Sequence, residues 1–256
     1  EDGFVRFTFI GGGSPLSCGG SRGLFANGTV GVIFFNEEEK DELKKSDQVP
    51  ALKKMYVDVG ASSRADCPVG VGNPAVFTRP FVKQGNRIIA KSLDNRVGCV
   101  VLIETLRRLK DTPFDVFFVF TVQEEESFAG ALTAAYGISP DMAIAVDVTL
   151  TGDTPNGLFT PVNLGEGPVI TLQDKGIIAH HTVREGLIQA ANQIEIPYQF
   201  EVCDQGGTDA SVMQVAREGV PAGNVCIPCR YMHTPSEIVD LSDVESSIKL
   251  LTQFLQ

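Results

Sequence analysis

The chain contains no tryptophan, four tyrosines and three histidines among its 256 residues. A protein that grips sugars stacks them on broad aromatic rings, and this one has few to offer. Basic residues are also scarce, 21 Lys and Arg against 32 Asp and Glu, a formal charge of −11. That balance argues against nucleic acid, whose phosphates need a basic face, and against an anionic membrane surface. No stretch approaches the roughly 18 consecutive apolar residues of a membrane helix. Glu1-Asp2-Gly3-Phe4 lacks the basic-then-apolar start of a signal peptide, so a cytoplasmic location is the expectation. The six cysteines (Cys18, Cys67, Cys99, Cys203, Cys226, Cys229) are scattered and several lie in apolar runs, which predicts free thiols rather than disulfides. Cys226-Ile-Pro-Cys229 has no second pair to make a zinc ribbon. It lies in a strand-like run, whereas a redox pair opens a helix. The glycines between Gly11 and Gly23 are not followed by Gly-Lys-Ser/Thr, so they read as turns and not as a phosphate cradle.

Two halves can be told apart. Residues 1–85 read as a β-rich domain. Strands are predicted at Gly3 to Ile10, Met55 to Val59 and Ala75 to Val82, and a hairpin where Asn27-Gly28 separates apolar runs. Asn36 to Gln48 reads as a charged loop or short helix. Residues 86–256 alternate strand and helix, which implies βαβ units around a mostly parallel sheet flanked by helices. The predicted strands are Arg87 to Leu93, Val116 to Val122, Met142 to Val148 and Asn224 to Ile227. Helices are predicted after Asp94-Asn95, near Ala129 to Tyr136, over Thr182 to Gln193, over Asp209 to Glu218, and from Ser242, where Ser242-x-x-Glu245 forms a capping box. The run Val-Phe-Phe-Val-Phe-Thr-Val at 116–122 is apolar throughout, as in a strand covered on both faces. The fold class is therefore α/β with a smaller β-rich second domain.

Ligands of open α/β sheets bind beyond the carboxyl ends of the strands, and ionisable residues cluster at such positions here. Glu124 and Glu125 end the Phe-rich run. Asp94 sits at a strand-to-helix turn, Asp147 at the end of the next strand, and His233 after the short strand at 224–227. Carboxylates sharing one cleft repel unless a cation joins them. With an imidazole added, such a set suits zinc, cobalt or manganese. Each residue also has a plainer reading. Asp94 would serve as an N-cap, Glu124 to Glu126 as a solvated turn, and His233 as a surface histidine. Asp147, in an apolar strand, is the hardest to dismiss, because an unpaired buried carboxylate is costly. His180-His181 opens a helical pattern and is read as structural.

These stretches resemble the M42 family of metallo-aminopeptidases. The matching motifs are Lys91-Ser-Leu-Asp94-Asn-Arg-Val-Gly98, Thr121-Val-Gln-Glu124-Glu125, Ala145-Val-Asp147-Val-Thr149, Gly206-Gly-Thr-Asp209-Ala and Arg230-Tyr-Met-His233-Thr-Pro-Ser-Glu237, in family order, and Met55-Tyr-Val-Asp-Val-Gly-Ala-Ser62 fits as well. The resemblance implies a zinc-exopeptidase-like catalytic domain at 86–256 and a barrel- or PDZ-like dimerisation domain at 1–85. It also implies a dimer-based homo-oligomer, up to a dodecamer, acting on peptide substrates. It implies two divalent metal ions, with Asp94 bridging them, Glu125 and His233 on one, Asp147 on the other, and Glu124 as general base. The family's first ligand is a histidine in a His-x-Asp motif upstream of the β-rich domain. None of the three histidines here precedes His180, so the sequence is expected to begin inside that domain, without the family's N-terminal strands. The family's Glu-Glu also leads into a small, Gly-containing turn. Here Glu126-Ser127-Phe128 comes next, and the loop is expected to differ in shape. Two other readings compete: an assembly subunit of the same fold with an impaired site, and a glycoside hydrolase with paired carboxylates. The low aromatic content speaks against the latter.

Overall fold

The computed structural model describes residues 2–36 and 49–256, and nearly all of the charged segment 36–48 lies outside them. The chain divides into two compact units. The smaller takes in the chain up to Phe81 together with Ala90–Ser92 and His233–Ser236; the larger comprises Val82–Ile89, Leu93–Met232 and Glu237–Gln256.

The smaller unit is built on one antiparallel sheet of β1 (Phe4–Val5), β2 (Arg22–Phe25), β3 (Val30–Phe35), β4 (Met55–Asp58) and β5 (Ala75–Phe77), in the order β1-β4-β3-β2-β5. The Asn27-Gly28 turn joins β2 to β3 as the sequence implies. Gly28 takes a φ of +88°, a left-handed conformation that costs glycine nothing. The predicted strand over Gly3 to Ile10 shrinks to two residues. Cys18, closing the short helix α1 (Pro15–Cys18), is buried with Phe25, Ile33, Met55, Val57 and Val69 to form the core. The sheet ends on β1 and β5, with no barrel closure among the described strands.

The larger unit holds two sheets. A three-stranded sheet has the order β12-β7-β6, with β6 (Val82–Gln84), β7 (Arg87–Ala90) and β12 (Glu237–Asp240). A four-stranded sheet has the order β10-β9-β11-β8, with β8 (Ala143–Leu150), β9 (Val169–Gln173), β10 (Gln199–Val202) and β11 (Ala222–Cys229). β8 runs parallel to β11 and β9 parallel to β10, but β9 is antiparallel to β11. This sheet is mixed: one antiparallel pairing joins two parallel pairs. Apolar patterning reports burial, not strand direction. Direction is set by the connections, and no helix intervenes between β8 and β9 to carry the chain back across the sheet.

Around these sheets lie α2 (Leu93–Arg108), α3 (Glu124–Ser127), α4 (Ala129–Ile138), α5 (His181–Gln193), α6 (Ala210–Met213) and α7 (Leu241–Phe254). α2 packs on α7 and β8. A second core gathers Ala135, Ala143, Ala145, Ile177, Ala210, Ala216, Val220 and Ala222. Three sequence expectations change. The helix predicted over Asp209 to Glu218 is only the single turn α6, after which the chain turns back and Val220 N–H bonds to the Gln214 carbonyl. α7 is capped by Asp240, whose carboxylate accepts from Ser242 N–H, and not by Ser242. The Phe-rich run 116–122 forms no strand. A strand requires a neighbouring backbone, and no described residue ladders with it. Phe117, Phe120 and Val122 remain exposed.

Candidate active site

The larger unit places Asp94 at a break in α2, where Asp94 and Asn95 leave helical geometry and the peptide between them is cis. Two contacts hold this bend. The Glu237 carboxylate, 2% exposed, accepts from the backbone N–H of both Leu93 and Asp94. Asn95 spans to β8, donating to the Val146 carbonyl at 2.7 Å while its oxygen accepts from Gly98 N–H at 3.1 Å. A Cβ at Gly98 would collide with both Asn95 and the Val146 carbonyl, so glycine is required for this close approach.

Glu124 and Glu125 lie on α3, a single helical turn bracketed by two non-glycine residues in left-handed conformation, Gln123 (φ +61°) and Phe128 (φ +55°). Each costs roughly 1–2 kcal/mol. Phe128 thus stands in a conformation that the glycine expected after Glu-Glu would adopt without strain. Asp94 and Glu125 each offer a carboxylate oxygen within 4.8 Å of the other. Asp147, on β8, is 7% exposed and accepts from Val148 N–H at 2.8 Å. Burial, reinforced by the negative charges of Asp94, Glu124 and Asp209, pushes its carboxyl well above the usual range. Asp94, Glu124 and Asp209 thus set three negative charges against Asp147. The donor set is all oxygen, and its mutual repulsion is what a divalent cation would relieve.

His233 belongs to the smaller unit, in left-handed conformation (φ +61°). There it lies so close to Gly12 that a Cβ at that glycine would overlap its imidazole. His180 is the N-cap of α5, its Nδ1 accepting from Thr182 N–H, which accords with a structural role. All six cysteines are free. Cys226 and Cys229 are buried on β11, where loss of solvent drives both thiols up.

Two further acids of the family motifs have defined partners. Glu237 holds the Asp94 bend, and Asp209 accepts from the Thr121 hydroxyl at 2.6 Å. No local spacing could have revealed either, since the partners lie 143 and 88 residues away in the chain. Asp94, Glu124, Glu125 and Asp209 share a cleft of about 650 Å³ with Phe114 and Phe117 on one side and Ile144 and Val146 of β8 on another.

The family model described as M42 glutamyl aminopeptidase matches residues 1–250. The chain belongs to this family. It is 44% identical over 255 residues to an aminopeptidase-named protein of Acetivibrio thermocellus, covering 99% of this chain and 76% of that protein. Among solved structures, aminopeptidase APDkam598 of the archaeon Desulfurococcus kamchatkensis superposes with a TM-score of 0.92 at 40% identity, over 99% of this chain and 73% of that one. The TET1 peptidase of Pyrococcus horikoshii, described as assembling into a tetrahedron or a large octahedral shell, gives 0.85 at 29% identity, over 99% and 77%. The α/β architecture of this M42 chain is thus that of aminopeptidases of known structure. None of its helices, among the described residues, is long and apolar enough to cross a membrane.

Proposed function

We propose that this chain is a metal-dependent aminopeptidase that removes N-terminal residues from peptides, with a catalytic domain of the zinc-exopeptidase type at 86–256. Asp147 carries the reading. It is a nearly buried carboxylate whose charged neighbours are the further acids Asp94, Glu124 and Asp209. An uncompensated charge in such a place is costly, and cations would turn that cost into a binding site. The proposal assigns Asp94, Glu125, Asp147 and His233 as the residues that would hold two divalent ions, zinc, cobalt or manganese. Such ions polarise a carbonyl and acidify water. Glu124 then acts as general base, taking a proton from the attacking water and passing it to the leaving amine. Glu237 and Asn95 keep the Asp94 bend in place. The acidic surroundings favour a substrate bearing a free, protonated α-amine.

The proposal also assigns the β-rich residues 1–85 to dimerisation within a larger homo-oligomer. Its support is the assembly described for the Pyrococcus horikoshii TET1 peptidase, and light scattering on the purified protein tests it.

The deciding experiment counts ions. The protein is loaded with excess zinc or cobalt, desalted and subjected to elemental analysis, then assayed on peptides with free and with acetylated N-termini. Two ions per chain, with hydrolysis of the free peptides alone, are expected. One ion or none, with no hydrolysis, overturns the proposal in favour of a non-hydrolytic assembly subunit. Glu124→Gln is expected to lower kcat by about 10²–10⁴-fold with ion content unchanged.

A further inference from the structure

The turn that carries Glu124 and Glu125 is poorly supported by backbone. The run 116–122 leading into it ladders with no described strand. It gives way to α3, one turn long and bracketed by strained residues. Backbone and side-chain hydrogen bonds tie this region down from outside. One is Gly130 N–H to the Val122 carbonyl at 3.0 Å, in a contact so close that a Cβ on Gly130 would strike the Val122 backbone. Another tie is made by side chains: the Thr121 hydroxyl donates to Asp209 Oδ2 at 2.6 Å.

Asp209 is itself well anchored. Its chain neighbour Thr208 is buried and donates to Asn224 Oδ1 at 3.0 Å. Asn224, 1% exposed on the central strand β11, donates in turn to Asp174 Oδ2 at 3.0 Å. Asp174 Oδ1 accepts from the N–H of Gly176 and Ile177 at 2.7 and 2.9 Å. Hydrogen bonds from Asp174 through Asn224 to Thr208, the peptide link from Thr208 to Asp209, and the Asp209–Thr121 bond therefore connect the middle of the four-stranded sheet to Thr121, three residues before Glu124. Asp209 Oδ1 is buried and has no hydrogen-bond partner among the described residues. One oxygen is thus committed to Thr121 while the carboxylate lines the acidic cleft. A carboxylate is rarely left half-satisfied in a protein interior without a reason.

We infer that Asp209 is a positioning residue: through Thr121 it locks the turn bearing Glu124 and Glu125 to the sheet core, and so sets where base and ligand stand. This deepens the aminopeptidase reading and rests on it. Displacing a reacting group by about 1 Å costs on the order of a hundredfold in rate, which a single hydrogen bond at the base of a one-turn helix can control.

Three variants test it. Thr121→Val removes the hydroxyl at constant shape. Thr121→Ser keeps it. Asp209→Asn removes the charge but retains an oxygen that can accept from Thr121. Each is measured for kcat and KM, for its cobalt(II) visible absorption band, and for amide exchange over 121–127 with β11 as internal reference. The clasp predicts that T121V loses on the order of a hundredfold in kcat at unchanged KM, shifts the cobalt band and exchanges faster at 121–127 with β11 still protected. T121S stays near the parent protein; D209N, which removes one charge of the cleft but keeps the clasp, changes kcat or the cobalt band while exchange at 121–127 stays as slow as in the parent. A T121V variant like the parent in all three readouts overturns the inference. So does exchange at 121–127 in D209N as fast as in T121V, since charge and not the clasp would then hold the turn. If the parent neither hydrolyses peptides nor takes up cobalt, the aminopeptidase reading has failed. Exchange at 121–127 in T121V against T121S then decides alone whether the clasp fixes this turn.

Discussion

Glu237 shows how a buried acid can serve structure and chemistry at once. Its carboxylate accepts from the amides of Leu93 and Asp94, so Glu237→Ala strands two donors in a region almost without solvent. Each orphaned donor costs about 1–3 kcal/mol, so a loss on the order of 2–6 kcal/mol is expected from urea melts, together with weaker zinc retention after desalting. Asn95 is a second such residue, tying Asp94 to β8 through Val146. At this scale the sequence was partly legible. Asp94, Glu124, Glu125 and Asp147 stood out as acids placed where apolar patterns end, and the structure puts Asp94 beside Glu125 and buries Asp147. The supporting roles of Glu237, Asn95 and Asp209 were not legible, because each depends on a partner distant in sequence.

Among the elements, α7 illustrates why end signals compete. Asp240-x-x-Asp243 and Ser242-x-x-Glu245 overlap in the sequence, and both look like helix starts. Asp240 wins because it also pairs with Arg87 at 2.9 Å, a partner on another strand that no local pattern discloses. Asp243 is freed for a different task, accepting from Gly165 and Gly167 N–H at 2.7 and 2.8 Å. Burial outweighs those bonds, and with Asp240 nearby and Arg87 only partly offsetting it, the Asp243 carboxyl is pushed up to about 6 from 3.8. The folded state therefore holds its proton more tightly than the unfolded state. The stability this contributes is complete below about pH 4 and is lost as pH rises through about 6. For metal-free protein the urea midpoint is expected to fall between about pH 4 and pH 6, and D243N to reduce that slope. The strand β11 behaves as its apolar run suggested, buried along its whole length. Ile227→Ala, at its centre, is expected to cost about 2–5 kcal/mol by the same melts. The Phe-rich run is the counter-example: equally apolar, but without a paired backbone among the described residues.

At the scale of the whole molecule, the acidic balance and the α/β alternation were readable from composition and period, and five ordered motifs sufficed for the family. Strand direction was not readable, since it is set by connections and not by hydrophobicity. Under the proposed function, strand, kink and turn of the larger unit would each contribute an acid to the ion site. A chelator such as EDTA is expected to abolish peptide hydrolysis, and zinc or cobalt to restore it; activity that survives metal removal would sink the metal assignment.

The edge of the four-stranded sheet has a practical consequence. β8, eight residues long, is one of its two outer strands, and it lines a cleft together with the apolar segment 116–120, which has no ladder partners among the described residues. Exposed strand edges recruit other backbones. In the test tube this chain is expected to light up hydrophobic dyes such as ANS while still folded. On gentle warming it should clump in a concentration-dependent way before its core melts, and an added β-strand peptide that beds against β8 should suppress both behaviours.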